Sequence, residues 1–181
     1  MDAITAIHAR RSIRHYETRA VEREIIADIL WDAAQAPTTP VSGPFLFHVI
    51  EGAGRIEGYG ERAKEYAREH RSNSAGYSWV DRRDFTVFLG APVVIVISGH
   101  VDNSQSIQDC SRAGQNLLLS AHARGLGSCW VGAPMLWLRS SETRKELGIA
   151  EAFEPFAAMT LGYAASVPPP HSRERPEIVW A

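Results

Sequence analysis

Cysteine is scarce in this chain: Cys110 and Cys129 are the only two among 181 residues. That is too few for a disulfide framework, and the pair has no metal-knuckle spacing. The seven histidines are scattered, and none falls in HExxH or another ligand pattern, so no metal centre is expected. Long apolar runs are also missing. The longest, over residues 91–98, is far too short to cross a bilayer. The opening Met1-Asp2-Ala3-Ile4 lacks the basic-then-apolar layout of a signal peptide. The expected location is therefore the cytoplasm, with no membrane partner. A net charge of −2 gives no general attraction to nucleic acid or anionic lipid. Neither glycine-rich phosphate cradle is present: no GxGxxG follows a strand, and GxxxxGK[ST] occurs nowhere. A Rossmann dehydrogenase or a P-loop enzyme is thereby disfavoured. Internal repeats and low-complexity linkers are absent too, so residues 1–181 read as a single domain.

What remains is the composition of a folded protein, 45% apolar and 22% charged. Asp2 is a candidate N-cap for a short helix carrying Ile4 and Ile7. Val21, Ile25, Ile29 and Ala33 lie four apart and predict a helix over 21–36, closed by Pro37. Residues 45–51 read as a strand. A third amphipathic helix carries Ile56, Tyr59, Ala63, Tyr66 and Ala67, and the polar stretch 71–84 follows it as a loop or lid. Residues 92–98 are β-branched without alternation, as in a strand buried on both faces. A long helix is expected over 106–124, stopped by Gly125-Leu126-Gly127. A short strand over 128–132, a helix over 140–147, a last strand over 157–163 and an extended tail complete the reading. Helices mixed with few strands, without strict alternation, indicate an α+β fold.

The sharpest chemical signal is RRSIRHY at 10–16. Arg10, Arg11, Arg14 and the Ser12 hydroxyl beside a helix end suit a terminal phosphate monoester, because guanidinium forks match phosphate oxygens. A solvated basic face is the bland alternative. Asp109 and Cys110 have no base at a defensible spacing and are rejected as a nucleophilic pair. Both cysteines fall in segments expected to be buried, where packing outweighs redox chemistry. Tyr77 and Trp79 read equally well as a substrate platform and as pins that hold the loop to the core. Core packing is expected for Trp130, and Trp137 is placed at a pocket wall or an interface.

Several segments together resemble the nitroreductase-like FMN proteins. They are RRSIRHY (10–16), AP (36–37) leading to GPFLFHVI (43–50), GAPVVIVI (90–97) and QDCSRAGQNLLLSAHARGLGSCWVGAP (108–134). LGIAEAFEP (147–155), LGYA (161–164) and RERPEIVW (173–180) continue the series, so the likeness spans almost the whole chain. The resemblance implies a mainly antiparallel central sheet flanked by helices. It also implies an intertwined homodimer, with the 171–181 tail packing at the interface. Arg10, Ser12 and Arg14 would hold the FMN phosphate and ribityl chain, with Arg11 contributing by side chain or backbone. Arg173 or Arg175 would approach the same phosphate. Val131, Gly132 and Ala133 would lie against the flavin ring, with a backbone N–H near N5.

One stretch departs from the family pattern. After the second helix the family commonly carries an asparagine and a glutamine, where this chain has Val41 and Gly43. Neither side chain can hydrogen-bond a ring, which leaves Thr39, Ser42 or backbone groups near Gly43 for that role. The implied activity is reduction of a nitro compound, quinone or other planar acceptor by NADH or NADPH, in ping-pong order. No side-chain acid is obligatory, so no catalytic residue is nominated. The alternatives are a specialised flavoenzyme on the same scaffold (dehalogenase, dehydrogenase or flavin-fragmenting) and a flavin-binding protein that does not turn over.

Overall fold

The computed structural model describes residues 1–39, 45–71, 75–170 and 172–181, apart from the side chains of residues 75 and 76. In chain order the elements are α1 (Ala3–Ala9), α2 (Arg23–Ala34), β1 (Leu46–Glu51) and α3 (Ala53–His70). A 3-10 helix (Ala75–Asp81) leads to β2 (Val93–His100), α4 (Ser106–Ala123) and β3 (Gly127–Trp130). Two short helices, α5 (Met135–Leu138) and α6 (Ser141–Glu146), precede β4 (Phe153–Gly162). The four strands form one antiparallel sheet in the order β1-β2-β4-β3. The fold is α+β, as expected.

The non-alternating apolar run has a direct cause. Val93, Ile95 and Ile97 pack with Ile26 and Ile29 of α2 and with Cys110, Ala113 and Leu117 of α4. Val94 and Val96 face the other way, onto Ile56 and Ala63 of α3 and Trp137 and Leu138 of α5. Helices cover both faces of β2, so every one of its residues from Val93 to Gly99 is buried.

Local signals set several element ends. The Asp2 carboxylate accepts the Thr5 amide at 3.0 Å and caps α1. Gly125, at φ 78°, takes the left-handed turn that ends the long helix. Other boundaries depart from the sequence reading. The second helix is shorter at both ends, Arg23–Ala34. The third strand stops at Trp130, although the Val131 amide still bonds the Ala158 carbonyl at 2.9 Å. The last strand starts at Phe153, and α5 was not foreseen. The 71–84 stretch contains the 3-10 helix, and the tail after β4 forms no helix or strand among its described residues.

Residues 12–17 are tied to the sheet. Ser12 bridges Ser128 in parallel, and the Ile13 amide donates to the Ser128 carbonyl at 3.0 Å. Tyr16 bridges Ala164, and the Glu17 amide reaches the Tyr163 carbonyl at 2.9 Å. The Tyr16 hydroxyl lies 2.8 Å from the Thr160 hydroxyl and 2.9 Å from the Ile13 carbonyl. Two glycines make this seat possible by close approach. A Cβ on Gly127 would stand 2.7–2.9 Å from the Ile13 side chain, and one on Gly162 would stand 2.9 Å from the Tyr16 ring.

Candidate functional site

The seat of residues 12–17 puts the arginine motif beside β3. Arg10 is half-buried, and burial is the main influence that pushes its guanidinium below its ordinary pKa. The charges of Arg173 and Arg11 act on it in the same direction. A tail residue and two residues from the α1 end therefore converge across the chain. Arg173, not Arg175, is the tail arginine whose charge is felt at Arg10.

Ser12 is half-buried, and its hydroxyl interacts with the Cys129 thiol. Burial raises that thiol's pKa, and the charges of Arg14 and Arg10 and the Ser12 contact oppose the rise only in part. Arg14 itself is exposed. Arg11 takes a different position from its neighbours. Its Nη1 donates to the carbonyls of His8, Ala9 and Arg10 at 2.8, 3.0 and 2.9 Å, closing the C-terminal end of α1. That nitrogen supports the helix end, where carbonyls lack partners and a cation is favoured.

The second part of the site follows β3. Val131 is buried, Ala133 half-buried and Gly132 exposed. Among the described residues, the amides of Gly132 and Ala133 donate to no acceptor, while the Gly132 carbonyl accepts from Met135 at 3.2 Å. A Cβ on Gly132 would meet nothing within 4 Å, so open space lies over this turn. Two amides without an acceptor among the described residues, beside an uncrowded Gly132, form a ready donor pair for a polar ring edge. Three residues separate Gly132 from Ser128 of β3, to which Ser12 is bridged.

Thr39, the third predicted element, is half-buried. Its amide and hydroxyl lie 3.5 and 3.4 Å from the Asp109 carboxylate, which is 2% exposed and also receives Arg112 at 2.5 Å. Val41, Ser42 and Gly43 lie outside the described residues. The 70-residue separation hid the contact between Thr39 and Asp109 from sequence reading. A carboxylate in the first turn of a helix was its one local signal.

The remaining aromatic assignments divide. Trp79 packs on Phe85 at 5.3 Å and against the core, so it pins its segment. Trp137 is buried at 3%, against Tyr59 at 5.3 Å, and so belongs to the core rather than to a pocket wall or an interface. Trp130 reverses its expectation: one edge of its ring packs closely over Gly114, yet the residue is 39% exposed. Cys110 and Cys129 are both buried, as expected, and burial together with the Asp109 charge lifts Cys110 to about 12. Among the described residues no group of His, Cys, Asp and Glu is arranged to hold a metal ion. No helix of the described residues is long and apolar enough to cross a membrane.

Cavities on the surface of the described residues include two of moderate size. One, of about 220 Å³, lies between α3 and residues 86–91; the other, of about 260 Å³, is lined by Arg11, Ile13 and His122 among others. Neither is lined by residues 131–133.

In fold, the chain matches an FMN-bound nitroreductase from Bacteroides fragilis with a TM-score of 0.87, at 22% identity and with full coverage of both chains. The Nitroreductase family profile matches residues 7–163. A relative from Methanothermobacter thermautotrophicus, assigned as an NADH dehydrogenase/NAD(P)H nitroreductase, is 33% identical over 93% of this chain and 80% of its own length. A second, from Archaeoglobus fulgidus and assigned in the same words, is 29% identical over 90% of this chain and 85% of its own. The chain belongs to the nitroreductase family.

Proposed function

We propose that this chain is an FMN-dependent oxidoreductase that transfers reducing equivalents from NADH or NADPH to a small planar acceptor such as a nitro compound or quinone. The carrying observation is the like-charged cluster of Arg10, Arg11 and Arg173, whose α1-end members adjoin the Ser12 bridge to β3, together with the Gly132 and Ala133 amides just past that strand, which have no acceptor among the described residues. Cations gathered around the half-buried Arg10 repel one another until an anion joins them. A phosphate monoester supplies that anion, and a planar ring with polar edges suits the amides. The residues present therefore fit FMN.

In this reading Arg10, Ser12, Arg14 and Arg173 hold the phosphate end, and Arg11 keeps the end of α1 in place for them. Gly132 leaves room for a ring where a side chain would intrude. The Gly132 and Ala133 amides supply hydrogen bonds to the ring edge, and Thr39 stands at the start of the third contact. Bound there, FMN would take up a hydride from the nicotinamide and deliver it to the acceptor. The protein contributes position and electrostatics, and donor and acceptor occupy the same open space in turn.

The printed names of the archaeal relatives support the nicotinamide donor. A homodimer belongs to the same proposal. Ile4 and Ile7 of α1, Trp130, and Ile178, Val179 and Trp180 of the tail are all exposed apolar side chains that a second subunit would cover. The tail over 171–181 would pack there, with residues 1–181 forming one domain of each subunit.

The test is a visible spectrum of the purified protein, incubated with FMN, desalted and made anaerobic. Retained yellow colour that bleaches on adding NADH or NADPH, followed by steady oxidation of the donor once a quinone is added, is the expected result. Colour without turnover would favour a binding protein instead. A colourless protein would sink the proposal.

A further inference from the structure

α1 packs on α4, and the cavity of about 260 Å³ opens where their C-terminal ends meet. Arg11, Ile13 and Ser128 line it. The first two flank Ser12 along the chain, and the third is bridged to Ser12 from β3. The cavity therefore adjoins the residues assigned to the phosphate. His122, in the last turn of α4, lines it as well. This residue is half-buried, and its Nε2 is buried without a hydrogen-bond partner among the described residues.

Opposed influences meet at this imidazole. Burial favours its neutral form, and the charges of Arg10 and Arg11 at the end of α1 act in the same direction. Arg173 of the tail acts in turn on Arg10. His8, in the last turn of α1, is exposed. On the α4 side, Arg124 is closed by Asp32 of α2 at 2.6 Å. Among the described residues that line the cavity, none is acidic. The end of a helix, by contrast, favours a cation, because its last carbonyls lack partners. An anion shifts that balance. A phosphate dianion among the arginines would offset their repulsion and attract a proton to the ring.

We infer that His122 is a fourth member of the anion site, neutral while the site is free and cationic once a phosphate monoester lies among the three arginines. The inference rests on the FMN reading above and extends it to the protonation state that the site adopts. His122 acts through the field of the bound anion, so it needs no direct contact with the phosphate. The proton comes from solvent. Because the bound state then holds more protons than the free one, FMN affinity rises as pH falls. Riboflavin has the ring and the ribityl chain but no phosphate, and so draws no proton.

The test is titration with FMN and with riboflavin, read by flavin fluorescence between about pH 8 and about pH 6.5. Calorimetry in two buffers of different ionisation enthalpy counts the protons. The parent is compared with His122→Gln and His122→Lys. Parent FMN affinity should tighten about threefold per pH unit, inside the limit of about tenfold set by one linked proton. Calorimetry should show net proton uptake with FMN and none with riboflavin. His122→Gln should give a flat FMN profile, sagging slightly at the acid end as the phosphate of FMN, with a second pKa of about 6, takes up its own proton. His122→Lys carries its charge throughout. It should also be flat, and should bind FMN more tightly than His122→Gln.

A His122→Gln profile as steep as the parent's overturns the inference, because the linked proton then sits elsewhere. Absence of proton uptake by the parent with FMN overturns it too, and that result needs no variant to fold. Equal weakening of FMN and riboflavin in His122→Gln, with the parental pH profile kept, marks a packing role and is equally fatal. A parent that binds neither flavin overturns the functional reading itself, and this inference with it.

Discussion

Arg10 shows how one side chain carries two opposed demands. It is half-buried beside Arg11 and Arg173, an arrangement unfavourable in the free protein and favourable around a phosphate. Replacing it separates the two effects. Arg10→Ala should weaken FMN binding by at least about tenfold, as expected for a lost charge-assisted hydrogen bond, measured by equilibrium dialysis. The cofactor-free variant should melt no lower than the parent. Arg175→Ala should bind FMN like the parent, since its charge is not felt at Arg10.

A second residue sets an acid limit. Burial pushes the His48 imidazole below its ordinary pKa, opposed only in part by a hydrogen bond to the Leu147 backbone, and among the described residues its Nε2 is buried without a partner. Below about pH 6.5 the unfolded chain takes up this proton while the folded site resists it. The associated stability is fully present above that value and is lost as pH falls through the folded pKa. His122, also lowered by burial and by Arg10 and Arg11, acts with the same sign. Melting temperature should therefore fall between about pH 7.5 and pH 5.5, and fall less in His48→Gln.

At the scale of elements, the site depends on how residues 12–17 lie on the sheet. Gly127→Ala would force a Cβ against the branched Ile13 side chain, whose own Cβ cannot swing aside. Overpacking of this kind costs about 1–3 kcal/mol. Its particular signature should be lost FMN retention in protein that remains folded by circular dichroism, because the arginines ride on the displaced segment.

The same scale shows what sequence could and could not convey. The run in β2 was legible because β-branched residues without alternation leave no face for water, and helices do cover both sides. The start of β4 was hidden by Pro155, which reads as a strand breaker. It is tolerated beside a register shift at Ile97/Ser98, where the ladder is already interrupted. The four residues of α5 are too few to show a period. In the site, the phosphate-type motif was visible as a local cluster of arginines. The capping posture of Arg11 and the pairing of Thr39 with Asp109 were not, because each depends on where distant backbone comes to rest.

For the whole molecule, exposed apolar side chains occur on α1, at Trp130 at the end of β3, and along the tail from Ile178 to Trp180. Trp180 is 88% exposed, an unusual place for the largest side chain. Sedimentation equilibrium should return twice the chain mass. Removal of residues 176–181 should shift the equilibrium toward monomer at micromolar concentration.

The bridge between Ser12 and Ser128 has one more consequence. β3 stands at the margin of the sheet, and residues 12–13 lie along its outer side. Stripped of that cover, its amides and carbonyls would be free to recruit a strand from another molecule. A chain clipped near its beginning, by a protease or by a late translational start, should thus precipitate or form β-rich aggregates rather than persist as a merely inactive protein.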